Sequence, residues 1–357
     1  MNLSEKKYES GQEKEWEAFC GTSPDAWFWH TSGWLEYTLN YRPELKSKSI
    51  SFWIFDEKRP VAVVPLTKET REDGKTEFSF GGAAIPAPAL APGLSTEERE
   101  IISDLIFKLI DGRAQSEQVV RATFRLSPLA PSSRELLSQG LFLQKYGYLD
   151  VSLETLMIDL HLSKDELWSQ MRRNHHRNIE KGEEYKMIFY NSKNITAEIF
   201  DEYKEVHHKA AGRQTRPDRT FELMYEWLKN NLAFLVAVQL NGRNIAYEYY
   251  SVYKNSVYGF SAANDPDFED LPIRHSLEWK AILWMKERGV DLYEIGIQHK
   301  GLLPHDPPDQ KLMSISHFKK GFGGFSAPQY IGEKYYDREF FLNTQKDRAE
   351  HFALSLQ

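Results

Sequence analysis

The chain has 357 residues, 41% of them hydrophobic and 13% aromatic, with a formal net charge of −7. This composition supplies an ample core and excludes a disordered chain, and the length predicts one or two domains. The modest negative charge excludes a surface coated with positive charge for nucleic acid, although it permits a local basic patch. The single cysteine, Cys20, excludes an internal disulfide and a multi-cysteine metal site, and it indicates a reducing compartment.

The N-terminal sequence MNLSEKKYESGQEKEWEAF is polar and acidic, which is not the pattern of a secretory signal peptide. The sequence contains no apolar run of about 18 residues, so it predicts no membrane-spanning helix. The expected location is therefore the cytoplasm, with peripheral contact with a membrane left open.

The first half begins with helices predicted at 13–20 and 32–41. A hairpin follows, formed by SISFWIF and PVAVVPL around the turn DEKR, and EFSFGGAAI is predicted as a third strand. Ser95 and Glu98 have the spacing of a capping box, so a helix is expected from there to about Asp111, with Gly112 as its stop. A strand at 119–126, a short helix at SSRELLSQ and a strand around LETLMIDL are predicted to complete this half.

The second half begins with another capping box, Ser163 with Glu166, which predicts a long helix to about Tyr185. YKMIFY is predicted as a strand, followed by helices at about 197–211 and 218–229. Asn241-Gly242 between two apolar runs predicts a hairpin, with SVYGFSAAN as the third strand. A helix from Pro272 to Arg288 and the strand VDLYEIGI follow.

The two halves share one order of elements: helices, a hairpin, a third strand, a helix and a strand. Equivalent elements lie roughly 180 residues apart, which indicates a repeat of architecture rather than of sequence. The order predicts an α+β fold of two tandem GNAT-like (acyl-CoA N-acyltransferase-like) domains packed together, over 1–150 and 151–357. Other α+β folds remain compatible with the same order.

The segment MRRNHHRNIEKG carries two arginines, Arg173 and Arg177, which lie four residues apart and therefore on one helix face. Paired guanidinium donors suit a phosphate or a carboxylate. The alternative is a solvated basic face that pairs with Glu180 and Glu183.

The aromatic segment YEYYSVYKNSVYGF is predicted to send Tyr247 and Tyr249 to one face of a sheet and Glu248 and Tyr250 to the other. Core packing is expected for most of these tyrosines. A pocket face would use Glu248 or Tyr258 as a polar contact.

No motif points to a metal site or to common nucleophilic chemistry. The histidines show no H-E-x-x-H spacing, and the sequence contains no G-x-S-x-G, Walker or G-x-G-x-x-G motif. The junctions before the two long helices, GGAAIPAPALAPGLS and SAANDPDFEDLPIRHS, also lack a clear pyrophosphate loop. The four carboxylates of the second junction are expected to repel a pyrophosphate, which argues against CoA there.

Several segments resemble one family. DLPIRHSLEWKAILWMKERGVDLYEIGI followed by ISHFKKGFGG resembles the FemABX family, the aminoacyltransferases that build peptidoglycan interpeptide bridges, and related GNAT-like acyltransferases. DELWSQMRRNHHRNIEKGEE resembles the arginine-rich helix of that family, and WHTSGWLEYTL its early tryptophan helix. The likeness is specific over 271–324 and looser before residue 150.

The resemblance implies transfer of an aminoacyl group from aminoacyl-tRNA to an amine on a cell-wall, nucleotide-linked or natural-product acceptor. It also implies an interdomain cleft around which the two GNAT-like domains pack, and it places Lys319 in that cleft near the reacting groups, with Arg177 and Arg173 on the phosphates of the acceptor. The further substrate-binding candidates are Tyr258, Phe318, Trp34, Glu248 and His275. No cofactor is expected beyond the charged tRNA as co-substrate.

Two departures from the family are visible. Members that bind a UDP-muropeptide use a basic residue on the early tryptophan helix, whereas WLEYTLNYR has none before Arg42. The long helical arm of some members has no counterpart between 186 and 230.

Two other functions stay open: N-acyl transfer from acyl-CoA or an acyl carrier protein, and a GNAT-like binding protein without catalysis. Within HFKKGFGG we expect Lys319 to supply positive charge in the site and Lys320 to be solvated. Phe318 would anchor the segment, and its glycines would allow a sharp turn.

Overall fold

The fold is given by a computed structural model, which describes residues 1–133, 141–268 and 270–354. The chain divides into two compact units. Unit 1 comprises Met1–Leu153, His299–Asp309 and Pro328–Gln357, and unit 2 comprises Glu154–Gln298 and Gln310–Ala327. The predicted boundary at residue 150 treats each domain as one continuous segment, whereas two later segments join unit 1. Most of the short helix predicted at SSRELLSQ lies outside the described residues.

The helices of the described residues are, in chain order, α1 (Glu13–Thr22), α2 (Ser32–Tyr41), α3 (Thr96–Ser116), α4 (Lys164–Gln170), α5 (Arg173–Lys181), α6 (Ala197–Ala211), α7 (Asp218–Lys229), α8 (Ile273–Glu287), α9 (Gln310–Lys320) and α10 (Arg338–Leu354). The strands are β1 (Leu3–Lys7), β2 (Lys48–Ser49), β3 (Phe52–Asp56), β4 (Arg59–Val64), β5 (Thr67–Thr70), β6 (Thr76–Phe78), β7 (Ile85–Pro86), β8 (Ala89–Leu90), β9 (Val119–Arg125), β10 (Leu149–Asp150), β11 (Leu153–Asp159), β12 (Lys186–Tyr190), β13 (Ala233–Leu240), β14 (Arg243–Tyr253), β15 (Ser256–Asn264), β16 (Leu292–Gln298), β17 (Phe325–Gln329) and β18 (Ile331–Tyr335).

Unit 1 contains two sheets. One has the order β1-β3-β4-β8, and the other has the order β10-β18-β9-β6-β5-β2, with β7 also paired to β9. Strand β18 lies between β10 and β9 and pairs antiparallel with both. This pairing explains why the C-terminal segment belongs to the first unit.

Helix α3 begins at the predicted capping box, where the Ser95 hydroxyl accepts from the Glu98 backbone and the Glu98 side chain accepts from the Ser95 backbone. The predicted stop at Gly112 is wrong, because the helix continues to Ser116. A glycine inside a helix costs only about 1 kcal/mol. Burial of Ala114 and the contact of the Arg113 guanidinium with the Phe52 ring favour continuation of the helix past it.

The predicted third strand EFSFGGAAI is two short strands, β6 and β7, separated by the left-handed glycines Gly81 and Gly82. The sequence analysis also missed β5, which pairs antiparallel with β6. Both errors arise from short polar strands, where alternation of apolar residues is too brief to be recognised.

Unit 2 contains one sheet with the order β12-β13-β14-β15-β16-β11-β17. Strands β13, β14 and β15 form the predicted antiparallel meander, and Asn241-Gly242 provides its first turn with φ values of 51° and 81°. Helix α8 then connects β15 to β16, which run parallel.

The strand LETLMIDL, expected to complete the first half, is β11 and pairs with β16 in the sheet of unit 2.

The long helix predicted from Ser163 to about Tyr185 is wrong, because α4 and α5 are separated by two extended residues, Met171 and Arg172. The Met171 side chain is buried, and the Arg172 backbone N–H donates to the Gly321 carbonyl instead of continuing the helix.

The two faces of strand β14 are covered by different helices, as the alternation predicts. The Tyr249 hydroxyl donates to the Met224 carbonyl of α7, whereas the Tyr250 hydroxyl donates to Glu278 of α8. Tyr247, Tyr249 and Tyr250 are fully buried, which confirms core packing for these three tyrosines.

Candidate active site

Strands β15 and β16 of unit 2 separate part of the way along their length. They pair only from Ser256 with Leu292 to Tyr258 with Glu294, although β15 continues to Asn264 and β16 to Gln298. Beyond Tyr258 and Glu294 the strands follow different neighbours, β14 and β11. A gap therefore opens between two adjacent strands at their carboxyl ends, the edge of an open sheet where ligands commonly bind.

Each of the two strands carries an irregularity at this point. On β15, Tyr249 faces Ser261 and Tyr250 faces Gly259, so Phe260 is an extra residue. On β16 the pairing with β11 shifts between Glu294 and Gly296, which leaves Ile295 as the extra residue. Bulges of this kind bend a strand and redirect its side chains, and they are common next to active sites.

The side chain of Lys319, in the last turn of α9, reaches this gap. A β-carbon on Gly296 would lie 2.6 Å from the Lys319 Nζ atom, and Gly296 has a φ of +118°. Among the described residues no side chain forms a hydrogen bond or ion pair with Nζ. Burial holds the pKa of Lys319 below its ordinary value of 10.5, and Glu278, Glu248 and Glu294 oppose part of that shift. Lys320, its neighbour, is exposed.

A buried acidic network lies beneath the gap. Glu248 of β14 forms an ion pair with Arg274 of α8. Glu278, one turn further along α8, accepts hydrogen bonds from the hydroxyls of Tyr250 and Tyr293. Burial, together with the neighbouring Glu248 carboxylate, raises the pKa of Glu278 well above its ordinary value.

The end of α9 is fixed by α5. The His175 Nε2 atom lies 2.9 Å from the Phe318 carbonyl, and the Arg172 guanidinium contacts both the ring and the carbonyl of His317, at 2.7 and 3.1 Å. A β-carbon on Gly321 would lie 1.9 Å from the His175 ring. The turn after α9 therefore needs glycine at 321 for close packing.

The next two glycines of HFKKGFGG serve the backbone as expected. Gly323 and Gly324 both have φ values near +80°, and a β-carbon on Gly324 would lie 2.2 Å from the Met157 carbonyl. Left-handed backbone of this kind favours glycine. The segment thus turns sharply from α9 into β17.

The predicted site residues fall into four groups. Lys319, Glu248 and Tyr258 lie at or directly beneath the gap. Phe318 and His275 lie beside it, packed with each other at a ring distance of 4.9 Å and with His175 and Phe322. This packing makes Phe318 an anchor of α9 and buries much of the His275 ring.

Arg173 and Arg177 lie exposed on one face of α5, as the spacing predicts. The Arg177 guanidinium donates to the Asn174 side chain at 3.1 Å. In the described part of the chain no ion pair joins either arginine to Glu180 or Glu183, so the pairs expected for a solvated basic face are absent, whereas the exposure of both arginines leaves that alternative open. The guanidinium groups are available to an anionic ligand.

Trp34 belongs to unit 1, unlike the other seven candidates. On α2 its ring stacks on Tyr37 at 4.9 Å with an interplanar angle of 10°, and it contacts the Trp29 ring at 4.5 Å. It is part of an aromatic cluster beside the core of that unit.

Sequence reasoning missed four residues of the buried network: Arg274, Glu278, Tyr293 and Glu294. A signal existed in α8, because Glu278 lies next to Leu277 and four residues before the buried Ile282. A carboxylate within the buried stripe of a helix indicates a partner or a function. For Gly296, the glycine next to the Lys319 amine, no sequence pattern apart from the residue type indicated a place in the site.

The acidic junction before α8 differs from the expectation of a repulsive surface. Asp265 and Asp267 both pair with the Lys209 ammonium, at 2.6 and 2.7 Å, and Arg243 also contacts Asp265. Two of the four carboxylates counted in the sequence are thus neutralised. The electrostatic argument against a pyrophosphate at this junction is correspondingly weaker.

Two cavities of unit 1 lie apart from these residues. One of about 630 Å³ is lined by Arg42, Glu69, Arg71 and Arg121, among others, and one of about 400 Å³ is lined by His30, Arg99, Arg125 and Phe142. Neither includes Lys319 or a residue of the network beneath it.

Within the residues that the structure describes, no group of three or more His, Cys, Asp or Glu side chains could hold a metal ion. No helix in this part of the chain combines the length and the apolar character needed to cross a membrane.

A meander, a crossover helix and a parallel strand that separates from the third meander strand define a GNAT-type domain. The family model described as acetyltransferase (GNAT) domain matches residues 169–305, the central part of unit 2. No curated protein matches the sequence.

Solved structures resemble the whole chain at low sequence identity. FemX has 12% identity, with 95% of this chain and 100% of FemX covered and a TM-score of 0.65. L-PGS from Bacillus licheniformis has 12% identity, with 93% and 98% covered and a TM-score of 0.55. A tandem GNAT protein from the clavulanic acid biosynthesis pathway has 10% identity, with 93% and 98% covered and a TM-score of 0.50.

The likeness over nearly the full length of these proteins confirms the predicted fold of two tandem GNAT-like domains, and with it the resemblance to FemABX-like GNAT acyltransferases. The GNAT family match supports acyltransferase activity.

Proposed function

We propose that the protein transfers an aminoacyl group from aminoacyl-tRNA to the amine of an acceptor that carries phosphate or carboxylate groups. The observation that carries the proposal is the Lys319 ammonium, which lies in the gap between β15 and β16 with no ion-pair partner among the described residues. A partly buried cation at this point suits a reaction that develops negative charge on oxygen.

The reaction is an ester aminolysis. The lone pair of the acceptor amine attacks the ester carbonyl, a C–N bond forms, and the carbonyl oxygen becomes an oxyanion. When the tetrahedral intermediate collapses, the C–O bond to the tRNA ribose breaks and the amine proton passes to the departing oxygen. Lys319 would stabilise the oxyanion or hold an acceptor carboxylate, and positioning would supply much of the remaining rate. No metal or organic cofactor is part of this proposal.

Arg173 and Arg177 suit the binding of the acceptor. They are exposed, they share a helix face, and their guanidinium groups can grip a phosphate through two donors. The acceptor would therefore be an amine linked to a nucleotide, a lipid phosphate or a peptide carboxylate. FemX and L-PGS share the fold, which supports this class of reaction. Because charged tRNA is found in the cytoplasm, the proposal places the protein in that compartment.

The experiment is a transfer assay with radiolabelled aminoacyl-tRNAs and a panel of amine acceptors with and without phosphate. We expect label to move into an acid-stable amide only with the intact protein and a phosphate- or carboxylate-bearing acceptor. The matched acceptor with its phosphate removed is the control. Transfer from acyl-CoA but from no charged tRNA would contradict the aminoacyl donor.

Transfer from acyl-CoA is the second candidate, and one observation favours it. Lys209 and Arg243 neutralise Asp265 and Asp267 at the junction before α8, the part of a GNAT domain where a pyrophosphate would lie. Thermal shift with CoA against charged and uncharged tRNA separates the two donors, because a ligand stabilises the native state that binds it.

A further inference from the structure

Five ionisable side chains of unit 2 are grouped beneath the gap between β15 and β16. Two are cations and three are carboxyl groups: Arg274, Lys319, Glu248, Glu278 and Glu294. The three carboxyl groups are all buried, and all three act electrostatically on the Lys319 amine. The phenols of Tyr250 and Tyr293 complete the group.

Each carboxyl group has a different partner. Glu248 is paired with the Arg274 guanidinium, and the Arg274 Nη1 atom also donates to the Tyr247 carbonyl at 3.3 Å. Glu294 accepts a hydrogen bond from the Thr155 hydroxyl at 2.7 Å. Glu278 accepts only from phenols among these groups, and its carboxyl group lies within hydrogen-bond reach of that of Glu248.

Charge balance decides how many of the three can ionise. With Arg274 and Lys319 both charged, two ionised carboxylates make the group neutral, whereas three leave a net negative charge in a buried site. Burying an uncompensated charge is costly, and two adjacent carboxylates resist joint ionisation. One proton therefore belongs among the three carboxyl groups.

The geometry assigns that proton to Glu278. We propose that Glu278 is a protonated carboxylic acid that donates to the Glu248 carboxylate, and that it acts as a positioning residue by setting the charge around Lys319. The pair then carries one negative charge, which Arg274 matches. The Lys319 ammonium stays charged in the field of the network while its N–H donors point to no side chain described here.

This arrangement deepens the proposed function, on which its catalytic meaning rests. The Lys319 ammonium is balanced by carboxylates that form no hydrogen bond with it, so its N–H groups can donate to a ligand. The gap would therefore bind an anionic oxygen, either of a carboxylate or of a developing oxyanion. An ionised Glu278 would instead draw the ammonium toward the network. Burial and the nearby Glu248 both raise the pKa of Glu278, in agreement with a retained proton.

The first test is infrared spectroscopy of the full chain at pH 7. A protonated buried carboxylic acid has a C=O stretch separate from that of carboxylates. We expect this band in the wild-type protein and its loss in Glu278→Gln, with the band retained in Glu294→Gln. Absence of the band from the wild-type protein, or its persistence in Glu278→Gln, would overturn the assignment.

The second test measures the pKa of Lys319 by NMR titration of lysine amines labelled with ¹³C by reductive methylation, with Lys319→Arg to identify the signal. Because Glu278 is neutral, Glu278→Gln is expected to shift this pKa by less than about 0.3 units. Glu294→Gln removes a carboxylate that is ionised in this assignment, while the Glu248–Glu278 pair keeps its proton, and should lower it by about 1 unit or more. Equal shifts in the two variants would show that Glu278 is ionised.

The infrared and NMR measurements both give a result whether or not the protein catalyses acyl transfer. A protein that transfers no acyl group would still show or lack the infrared band, so the failure of the proposed function and the failure of this assignment are distinguishable. If Glu294→Gln fails to fold because the Thr155 hydroxyl loses its acceptor, the double variant Glu294→Gln/Thr155→Val removes both groups. The infrared comparison then decides the question by itself.

Discussion

The Nζ atom of Lys319 lies 2.6 Å from the position that a β-carbon on Gly296 would occupy. The amine of a helix residue therefore occupies the space that a side chain on the bulged strand would fill, and the lysine reaches the gap only because residue 296 is a glycine.

Replacement of Lys319 tests the proposed role of its charge. We expect Lys319→Met to lower the rate of acyl transfer by about 100-fold or more, the loss typical of removing one group that stabilises an oxyanion. The thermal midpoint should change little, because the methionine keeps the aliphatic stem. Lys320→Met is the matched control, since Lys320 is adjacent and exposed; near-normal turnover in Lys319→Met would remove the lysine from the mechanism.

A side chain at position 296 should displace the amine. Gly296→Ala places a methyl group against Nζ and also strains a backbone with a φ of +118°. We expect kcat to fall by at least about tenfold, in line with the sensitivity of catalysis to misplacement. Gly289→Ala controls for strain alone, because Gly289 has a φ of +73° and open space around it; equal losses in both variants would rule out the specific contact.

The contact of Gly321 with His175 should be visible in stability. Gly321→Ala would place its methyl group 1.9 Å from the His175 ring, and we expect a loss of about 1–3 kcal/mol in the free energy of unfolding. His175→Ala should recover part of that loss, giving a non-additive double-mutant cycle measured by urea denaturation.

The control for Gly321→Ala is Gly112→Ala, inside α3 and facing open space. There a methyl group meets no neighbour and raises helix propensity. The substitution should therefore stabilise the protein by up to about 1 kcal/mol. Additive effects in the Gly321/His175 cycle would mean that the two residues do not touch.

The stability of the fold should depend on pH through buried imidazoles. Burial, with a smaller effect of His175, lowers the pKa of His275 from 6.5 to about 4. Between these values the unfolded chain binds more protons than the folded one, so stability should decrease as the pH falls from about 6.5 to 4. Burial also lowers the pKa of His207 to about 4, in the same window.

The measurement is the urea midpoint from pH 7 to pH 4 for the wild-type protein and His275→Gln. We expect the variant to have a shallower decline, because one of the imidazoles that resist protonation is gone. His351→Gln, in an exposed position of α10, should leave the slope unchanged. A variant slope equal to that of the wild type would show that His275 protonates freely in the folded state.

Local signals in the sequence were sufficient for several element ends in both units. Both capping boxes, the Asn241-Gly242 turn and the glycine after α6 end or begin elements where predicted. The helix phase also separated Lys319 from Lys320, because neighbouring residues on a helix point about 100° apart.

Long-range pairing was not accessible in the same way. Nothing in LETLMIDL indicates that it pairs with β16 across 139 residues, as the Thr155–Glu294 contact shows. The break at Met171 depends on a carbonyl at Gly321, far along the chain. Apart from Glu248, the members of the buried network were not predicted, because they come from three elements that meet only in the fold.

The position of β18 has a consequence for how the chain is made. During synthesis the ribosome delivers β9 and β10 long before Ile331–Tyr335, the strand that pairs with both. Until then the sheet of unit 1 has an open edge at β9, whereas every strand of the β12–β16 meander and its crossover is already present. The N-terminal unit should therefore be the last to be completed. Truncation of the chain before residue 328 should destabilise this unit, although it is translated first, because its sheet then lacks β18.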